Sequence, residues 1–219
     1  MKGYMHGTEV CLKQIKSSPG VTAKTSLLHE ASILSILCHQ TVCFLHGVQC
    51  EKVPYYLVTN LYVIDGFSIT IYDFLCLSAK DDSSKRCLIQ LLHSDITVHS
   101  WCLIMTDVAH GLHYIHCDHQ IIHRDLKSNN IVLYRQGKDL KPVIIDFGKS
   151  VQVHKAMRYK LTEDEKQQYR QIHKHIAPDL IDGMCAPSPS SDMYSYGRVF
   201  KNIVCYSQRV EHFQYLSEH

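Results

Sequence analysis

Long apolar runs are absent from this sequence of 219 residues. No stretch approaches the roughly eighteen residues that a membrane-spanning helix needs, and the N-terminus has no basic segment followed by an apolar core, as a secretory signal has. Internal repeats and low-complexity tracts are also lacking. These absences argue against a membrane-spanning protein, a secreted precursor and a repeat array, and they predict a soluble globular chain.

Paired cysteine motifs are missing as well. The ten cysteines are scattered without a C-x-x-C pair, which argues against a disulfide framework and predicts free thiols in a reducing, cytoplasmic compartment. Close histidine spacings, at positions 110, 113, 116 and 119, suggest a zinc site. Structural zinc sites usually show two compact ligand pairs, and no cysteine pair supports this one, so we expect no zinc here.

The sequence also lacks a broad region of positive charge. The formal net charge is +2, and the lysines and arginines are spread along the chain, which argues against nucleic acid as the main partner. With 45% hydrophobic and 20% charged residues, the composition is that of an ordinary globular protein. The length allows one large domain or two small ones. The sequence gives no indication of the oligomeric state.

Short runs of branched and aromatic residues predict three strands in the first part of the chain. They cover residues 10–15, 42–48 and 55–59. A helix interrupts them, and Glu30 lies beside its apolar stripe. The stripe has helical spacing and consists of Leu27, Ala31, Leu34 and Leu37. The polar stretch 78–86 that follows indicates a surface loop.

The second part of the chain is predicted to be mainly helical. One long amphipathic segment has on its apolar face Trp101, Ile104, Met105, Val108, Leu112 and Ile115. Three short strands follow, at residues 120–122, 131–134 and 143–145. Thr162 and Glu165 have capping-box spacing, which predicts a helix over residues 163–171, and a last helix is predicted over residues 192–206. Strands followed by helices predict an α+β fold.

Two polar loops between these strands carry the strongest chemical signal. Residues 123–130 have the sequence HRDLKSNN, and residues 146–148 have the sequence DFG. Phosphoryl transfer needs a carboxylate near the attacking hydroxyl, a cation for phosphate oxygens and oxygen ligands for Mg²⁺. The groups that meet these needs are Asp125, Lys127, Asn130 and Asp146. Alone, either aspartate is more often a turn or cap residue, but the combination of both motifs in this order favours catalysis.

Together the two motifs resemble the catalytic loop and the metal-binding loop of eukaryotic protein kinases, of the serine/threonine or tyrosine-kinase-like type. The resemblance implies a bilobal α+β fold, ATP and Mg²⁺ as cofactors, and a protein substrate phosphorylated on serine or threonine rather than tyrosine. It assigns Asp125 to orient the acceptor hydroxyl and Lys127 to stabilise charge. Asn130 and Asp146 are then the metal ligands.

The resemblance extends to the first sixty residues. Lys13, in the run VCLK at residues 10–13, resembles the lysine that holds the α- and β-phosphates, with Glu30 as its ion-pair partner. A solvated strand lysine is the alternative. Residues 56–62 resemble the strand that enters the hinge between the lobes. The alternative interpretation is a buried strand that contacts no ligand. The implied adenine contacts are Cys11, Val132, Thr59 as gatekeeper, Asn60, Leu61 and Tyr62. The implied hydrophobic spine consists of Leu34, Leu45, His123 and Phe147.

Part of the family pattern is absent. No G-x-G-x-x-G loop precedes Lys13, and we expect the first two strands of the small lobe to be missing. The expected division is a partial small lobe, residues 1–62, and a partial large lobe, residues 63–219, which ends after the helix near 192–206. Two alternatives to an active kinase stay open: a catalytically inactive kinase-like binding module, and a partial gene model of a longer active enzyme.

The segment after the DFG motif departs from the pattern in two places. Residues 177–179 resemble the motif that closes the activation segment, with aspartate in place of glutamate. Ile172 stands where serine/threonine kinases usually have threonine. Arg124 is expected to pair with a phosphate on this segment, and the nearby hydroxyls are Tyr159, Thr162 and Tyr169. For Thr162 we favour helix capping over phosphorylation. Residues 191–197 resemble the helix start whose aspartate, Asp192, braces the catalytic loop.

Overall fold

An antiparallel sheet of four strands forms the first part of the fold. In the computed structural model, which describes residues 1–15, 22–76 and 82–217, its strands are β1 (Lys2–Met5), β2 (Thr8–Gln14), β3 (Leu45–Gln49) and β4 (Tyr56–Asn60). Their order is β1-β2-β4-β3. The three predicted strands of this part are therefore confirmed with shifted boundaries. Val10 and Leu57 of this sheet are buried.

Strand β1 contradicts the expectation that both strands ahead of the lysine strand are missing. It pairs with β2 from Lys2 opposite Cys11 to Met5 opposite Thr8. In the turn between them, His6 and Gly7 have positive φ angles of 49° and 80°. Two-residue turns of this kind suit the twist of a hairpin, and glycine adopts them without strain. The expectation is therefore wrong for the strand directly ahead of the lysine strand, because residues 2–5 form a hairpin with β2.

Helix α1 (Ala23–Leu34) packs against this sheet. Its N-terminus is capped by Thr22, whose side chain accepts a hydrogen bond from the backbone N–H of Thr25. Its buried residues include Leu27 and Leu34, as the apolar stripe predicts, and also the charged side chain of Glu30. Since a buried charge is costly unless it is paired, the helix needs a cationic partner at this point.

Six further helices build the second part of the fold around a larger core. They are α2 (Ile71–Cys76), α3 (Ser83–Asp95), α4 (Val98–His113), α5 (Glu163–Ile172), α6 (Pro178–Ile181) and α7 (Pro189–Ser217). The predicted amphipathic helix is α4, which continues into a π-helical turn at Tyr114–Asp118. Trp101 contacts Phe74 edge to face, with ring centroids 5.2 Å apart. The Tyr196 hydroxyl donates to the Met105 carbonyl at 3.1 Å, which joins α7 to α4.

Two boundaries in this part were predicted wrongly. The stretch 78–86 was expected to be a loop; residues 78–81 lie outside the described residues, but Ser83 begins α3. The Asp82 side chain caps this helix. Ile89 and Leu92 on its apolar face are buried, so the polar residues lie on the exposed face of a helix and not in a loop. The last helix begins at Pro189, three residues before Asp192, because proline is tolerated at a first helical position. It extends to Ser217.

Short strands hold the two polar loops in place. They are β5 (Ile69–Thr70), β6 (Ile121–Ile122), β7 (Ile131–Gln136), β8 (Asp139–Ile144) and β9 (Val151–Gln152). Strands β5, β7 and β8 form one sheet and β6 pairs with β9. The loop at 123–130 joins β6 to β7, and the DFG motif joins β8 to β9. Both loops therefore leave buried strands at neighbouring points.

The capping box of α5 supports a first test. The Thr162 side chain accepts from the backbone of Glu165 at 3.3 Å, and the Glu165 carboxylate accepts from the backbone of Thr162 at 2.8 Å. Thr162→Ala is expected to destabilise α5 by about 1 kcal/mol, which amide hydrogen exchange over the first turn of α5 measures. Thr162→Ser keeps the oxygen and is the matched control. Equal protection in the alanine variant contradicts a capping role.

None of the helices within the described residues is both long and apolar enough to cross a membrane. The histidines with zinc-like spacing make other contacts. His116 bonds to Asp192 at 2.8 Å, and the His119 ring lies edge to face with Tyr114 at 4.6 Å. The side chain of His116 is therefore buried and hydrogen-bonded to Asp192.

Candidate active site

Asp192 fixes the loop at residues 123–130. Its carboxylate accepts the backbone N–H groups of His123 at 2.7 Å and Arg124 at 2.9 Å, and also the His116 ring at 2.8 Å. The Asp192 side chain is only 1% exposed, so these three donors replace the water that a free carboxylate would bind. Arg124 has a positive φ of 67°, and the hydrogen bonds from the backbone N–H groups of His123 and of Arg124 itself hold this sparsely populated conformation.

Asp125 is the most heavily bonded side chain of this loop. Lys127 donates to its Oδ2 atom at 2.9 Å, and Lys149 and His175 each donate to its Oδ1 atom at 3.1 Å. Burial raises the pKa of Asp125, but the hydrogen bonds from His175 and Lys127 and the charge of Lys149 outweigh burial and hold the pKa well below its ordinary range. The carboxylate is therefore charged at neutral pH and lies beside Lys127.

Lys13 is the cationic partner that Glu30 needs. Its Nζ atom is 2.8 Å from both carboxylate oxygens of Glu30 and 2.7 Å from Oδ1 of Asp146. Burial lowers the pKa of Lys13, but the charges of Glu30 and Asp146 outweigh it and raise the pKa. Burial likewise raises the pKa of Asp146, and the charge of Lys13 outweighs it and lowers the pKa. The structure thus brings the lysine of β2, the glutamate of α1 and the aspartate of the DFG motif together.

A cavity of about 210 Å³ opens beside this triad. The sequence-predicted residues that line it are Cys11, Lys13, Glu30, Thr59, Asn60, Leu61, Tyr62, Val132 and Asp146. Sequence reasoning missed the other lining residues, which include Cys43 and Ser68. Burial raises the pKa of the Cys43 thiol to about 12, so this thiol is neutral. The cavity has an apolar side from both sheets and a charged end, which suits a base attached to phosphates.

Of the four predicted spine residues, Leu34 lines this cavity. The His123 and Phe147 rings meet edge to face, with centroids 4.8 Å apart, and Leu34 and Leu45 belong to the same core. Glu30 accepts the backbone N–H of Phe147 at 3.1 Å. With Phe147 buried in this way, the preceding Asp146 reaches Lys13.

Asn130 and Asp146 each have an oxygen atom that is available to a divalent cation. The amide nitrogen of Asn130 donates to the backbone oxygen of Asp125 at 2.8 Å, which leaves the amide oxygen as the atom able to bind a cation. Asp146 has one oxygen on Lys13, which leaves the other. A neutral and a charged oxygen suit Mg²⁺, which prefers hard ligands and keeps several waters. The residues therefore fit the metal that the resemblance implies.

The segment before Ala177 contains contacts that the sequence did not reveal. Ile172, at the usual threonine position, is 62% exposed, while His175 bonds to Asp125. Arg124 lies over the Tyr159 ring at 5.5 Å, and its Nε atom has no hydrogen-bond partner among the residues that the structure describes. Lys149 and His175 were missed as neighbours of Asp125. Only the position of Lys149 directly after the DFG motif is a signal that could have indicated one of them.

Comparisons with known proteins agree with this geometry. The model of the family described as protein tyrosine and serine/threonine kinase matches residues 1–216. A probable receptor-like serine/threonine-protein kinase of Arabidopsis thaliana is 29% identical over 204 residues, which are 90% of this chain and 30% of the relative. A dual specificity protein kinase of Dictyostelium discoideum is 27% identical over 221 residues, 94% of this chain and 25% of the relative.

A mitogen-activated protein kinase kinase kinase of Drosophila melanogaster is 27% identical over 208 residues, which are 90% of this chain and 15% of the relative. The chain thus spans less than a third of the length of these curated relatives. The mixed α+β architecture agrees with a partial bilobal kinase fold. Because the family model covers residues 1–216, the chain belongs to the protein tyrosine and serine/threonine kinase family.

Proposed function

We propose that this chain transfers the γ-phosphate of ATP to a serine or threonine hydroxyl of a protein. The observation that supports this most directly is the joint placement of Asp125 and Lys127 on one loop and of Lys13, Glu30 and Asp146 around one cavity. Use of ATP and a divalent metal is general in the kinase family. Mg²⁺ as the metal is part of our proposal.

Each side chain has a role that follows from its contacts. The charged Asp125 accepts a hydrogen bond from the substrate hydroxyl and orients it towards the phosphate, and Lys127, 2.9 Å from Asp125, stabilises the charge on the transferred group. Lys13, held by Glu30, positions the α- and β-phosphates. A bound Mg²⁺ supplies positive charge to the phosphate oxygens, and Asn130 and Asp146 are the residues that hold it.

Serine or threonine is the proposed acceptor rather than tyrosine. Lys127 lies in the catalytic loop at a position where classical tyrosine kinases have another residue, and the names of several relatives specify serine/threonine kinases. One relative is named a dual specificity kinase. Phosphoamino-acid analysis of the product, with serine, threonine and tyrosine peptides of equal flanking sequence, separates these acceptors.

A kinase-like binding module is the second candidate function. The observation that favours it is Ile172, which is 62% exposed and stands where serine/threonine kinases usually have threonine, in the segment that binds the substrate. A module of this kind binds a partner, or a nucleotide, without phosphoryl transfer.

Binding of ATP and Mg²⁺ is expected to raise the thermal unfolding midpoint, because a ligand that binds only the folded state stabilises it. At a hundred times the dissociation constant the gain is about 2.7 kcal/mol, or roughly 5–10 °C for a chain of this size. Asp146→Ala should abolish this shift, since it removes a metal ligand and a partner of Lys13. Exposed Asp118 provides the matched control, Asp118→Ala, which should keep the shift.

The outcomes of this experiment separate the candidates. A shift that persists in Asp146→Ala contradicts the proposed nucleotide site. A shift that is lost in the variant, without phosphate transfer to any protein, favours the binding module. Transfer that depends on Asp146 supports the kinase.

The division into lobes and the cellular location are also proposals. We assign residues 1–62, with the four-stranded sheet and α1, to the small lobe and residues 63–219 to the large lobe. All ten cysteines are free, which supports a reducing compartment such as the cytoplasm. Limited proteolysis near residue 62 tests the first proposal, and localisation of the full-length protein in cells tests the second.

A further inference from the structure

A second cavity, of about 740 Å³, adjoins the catalytic loop. Residues 127–130 of the loop, residues 171–175 at the end of α5 and residues 198, 199 and 202 of α7 form most of its wall. We call this cavity the acceptor groove. Because Lys127 lies in its wall and contacts Asp125 at 2.9 Å, the groove opens beside the proposed position of the acceptor hydroxyl.

The acceptor groove has an uneven charge. Within the described part of the chain, its lining includes three permanently cationic side chains, Lys127, Lys174 and Arg198, and no carboxylate. Asp125 neutralises Lys127. Exposed Lys174 and half-buried Arg198 form no ion pair with any carboxylate that the structure describes. Among the residues that the structure describes, these two positive charges of the groove therefore have no counter-ion.

The acceptor groove is also lined by two histidines, His173 and His175. Burial and the positive charge of Lys149 lower the pKa of His173, so its ring is neutral at neutral pH. His175 is bonded to Asp125 at 3.1 Å. The charge available to a bound substrate at neutral pH therefore comes from Lys174 and Arg198.

A concave surface with charge of one sign concentrates ligands of the opposite sign. A carboxylate of a substrate would gain an ion pair with Lys174 or Arg198, whereas a lysine or arginine of a substrate would be repelled. The other polar residues of the groove include Asn129 and Asn202, whose amides offer a basic side chain no negative charge. Electrostatic complementarity mainly determines which partners are accepted and rejected.

We propose that the acceptor groove selects protein segments that carry aspartate or glutamate beside the acceptor hydroxyl. Lys174 and Arg198 are its specificity-determining residues. This inference rests on the proposed kinase function, because it identifies the class of substrate for the same site. The inference predicts both the affinity for a substrate peptide and the rate of its phosphorylation, and these two quantities can be measured separately.

The test compares three serine peptides that are identical except for glutamate, glutamine or lysine beside the serine. Binding is measured by fluorescence anisotropy of labelled peptides and phosphorylation by kcat/KM, with wild-type protein and with the double variant Lys174→Glu, Arg198→Glu. The matched control is Lys52→Glu, Lys138→Glu, which makes the same charge change at exposed positions outside the groove lining. The midpoint shift with ATP and Mg²⁺ is recorded for each protein.

Wild type and control are expected to bind the glutamate peptide about tenfold more tightly than the lysine peptide, and the groove variant should reverse this order. Equal binding of all three peptides, a preference for lysine, or an unchanged preference in the groove variant overturns the inference. Selective binding that follows the groove charges, without phosphorylation, supports the inference about the groove and contradicts the proposed activity. A nucleotide-induced midpoint shift that is equal in all three proteins excludes an effect on the ATP site.

Discussion

Asp125→Asn is expected to lower phosphate transfer by a factor of about 10²–10⁴, the usual contribution of a positioned acid–base residue. Asparagine has nearly the shape of aspartate but no charge, so it orients the acceptor hydroxyl poorly and accepts no proton. The rate is measured as phosphate incorporated into a serine peptide at saturating ATP. The midpoint shift with ATP and Mg²⁺ should remain, because Asp125 does not line the nucleotide cavity.

The loss of a charge also affects the neighbours of Asp125. Lys127, Lys149 and His175 all bond to this carboxylate, so the unfolding midpoint of the variant must be measured alongside its rate. Asp139→Asn, at an exposed position in β8, is the matched control and should keep wild-type activity. A folded Asp125→Asn protein with a rate within threefold of wild type contradicts the proposed role.

Asp192→Ala is expected to have the largest effect on stability. Truncation leaves the buried N–H group of His123, the partly buried N–H group of Arg124 and the His116 ring without their common acceptor. Removing one partner from a buried charged network costs about 3–5 kcal/mol, which corresponds to roughly 6–20 °C in the unfolding midpoint for a chain of this length. Thermal and urea unfolding, followed by circular dichroism, measure the loss.

Two further variants test whether the loss of stability comes from the hydrogen bonds that Asp192 accepts. Asp192→Asn keeps one carbonyl acceptor and should lose less stability than the alanine variant. Asp179→Ala removes an exposed carboxylate from α6 and should change the free energy of unfolding by less than about 1 kcal/mol. If Asp192→Ala is no less stable than Asp179→Ala, the three hydrogen bonds do not brace the loop.

The sequence predicted the parts of the site that short motifs specify. The loop at 123–130 and the DFG motif contain their chemistry within a few residues, and α1 places Glu30 by helical periodicity. Its pairing with Lys13, 17 residues away, followed from resemblance rather than from the pattern of residues. The geometry around Glu30, including the third partner Asp146, came only from the structure.

Contacts between distant segments could not be predicted in the same way. His175 lies 50 residues after Asp125, and nothing in the local sequence indicates which loop its ring meets. Strand β1 depends on pairing across a turn, and α3 depends on burial of Ile89 and Leu92 beneath a polar surface. In each case tertiary packing decides the outcome, and local composition carries little information about it.

The position of Asp192 has a consequence for synthesis of the protein on the ribosome. The loop that it braces is made first, because the N–H groups of His123 and Arg124 precede it by 69 and 68 residues. Translation proceeds at about 5–20 residues per second, so these groups await their acceptor for roughly 3–14 seconds. During that interval the nascent chain has its phosphate-handling residues but no brace for the loop. A chaperone that binds the nascent chain at this stage therefore binds a protein whose catalytic residues are all synthesised but are not yet held in place by Asp192.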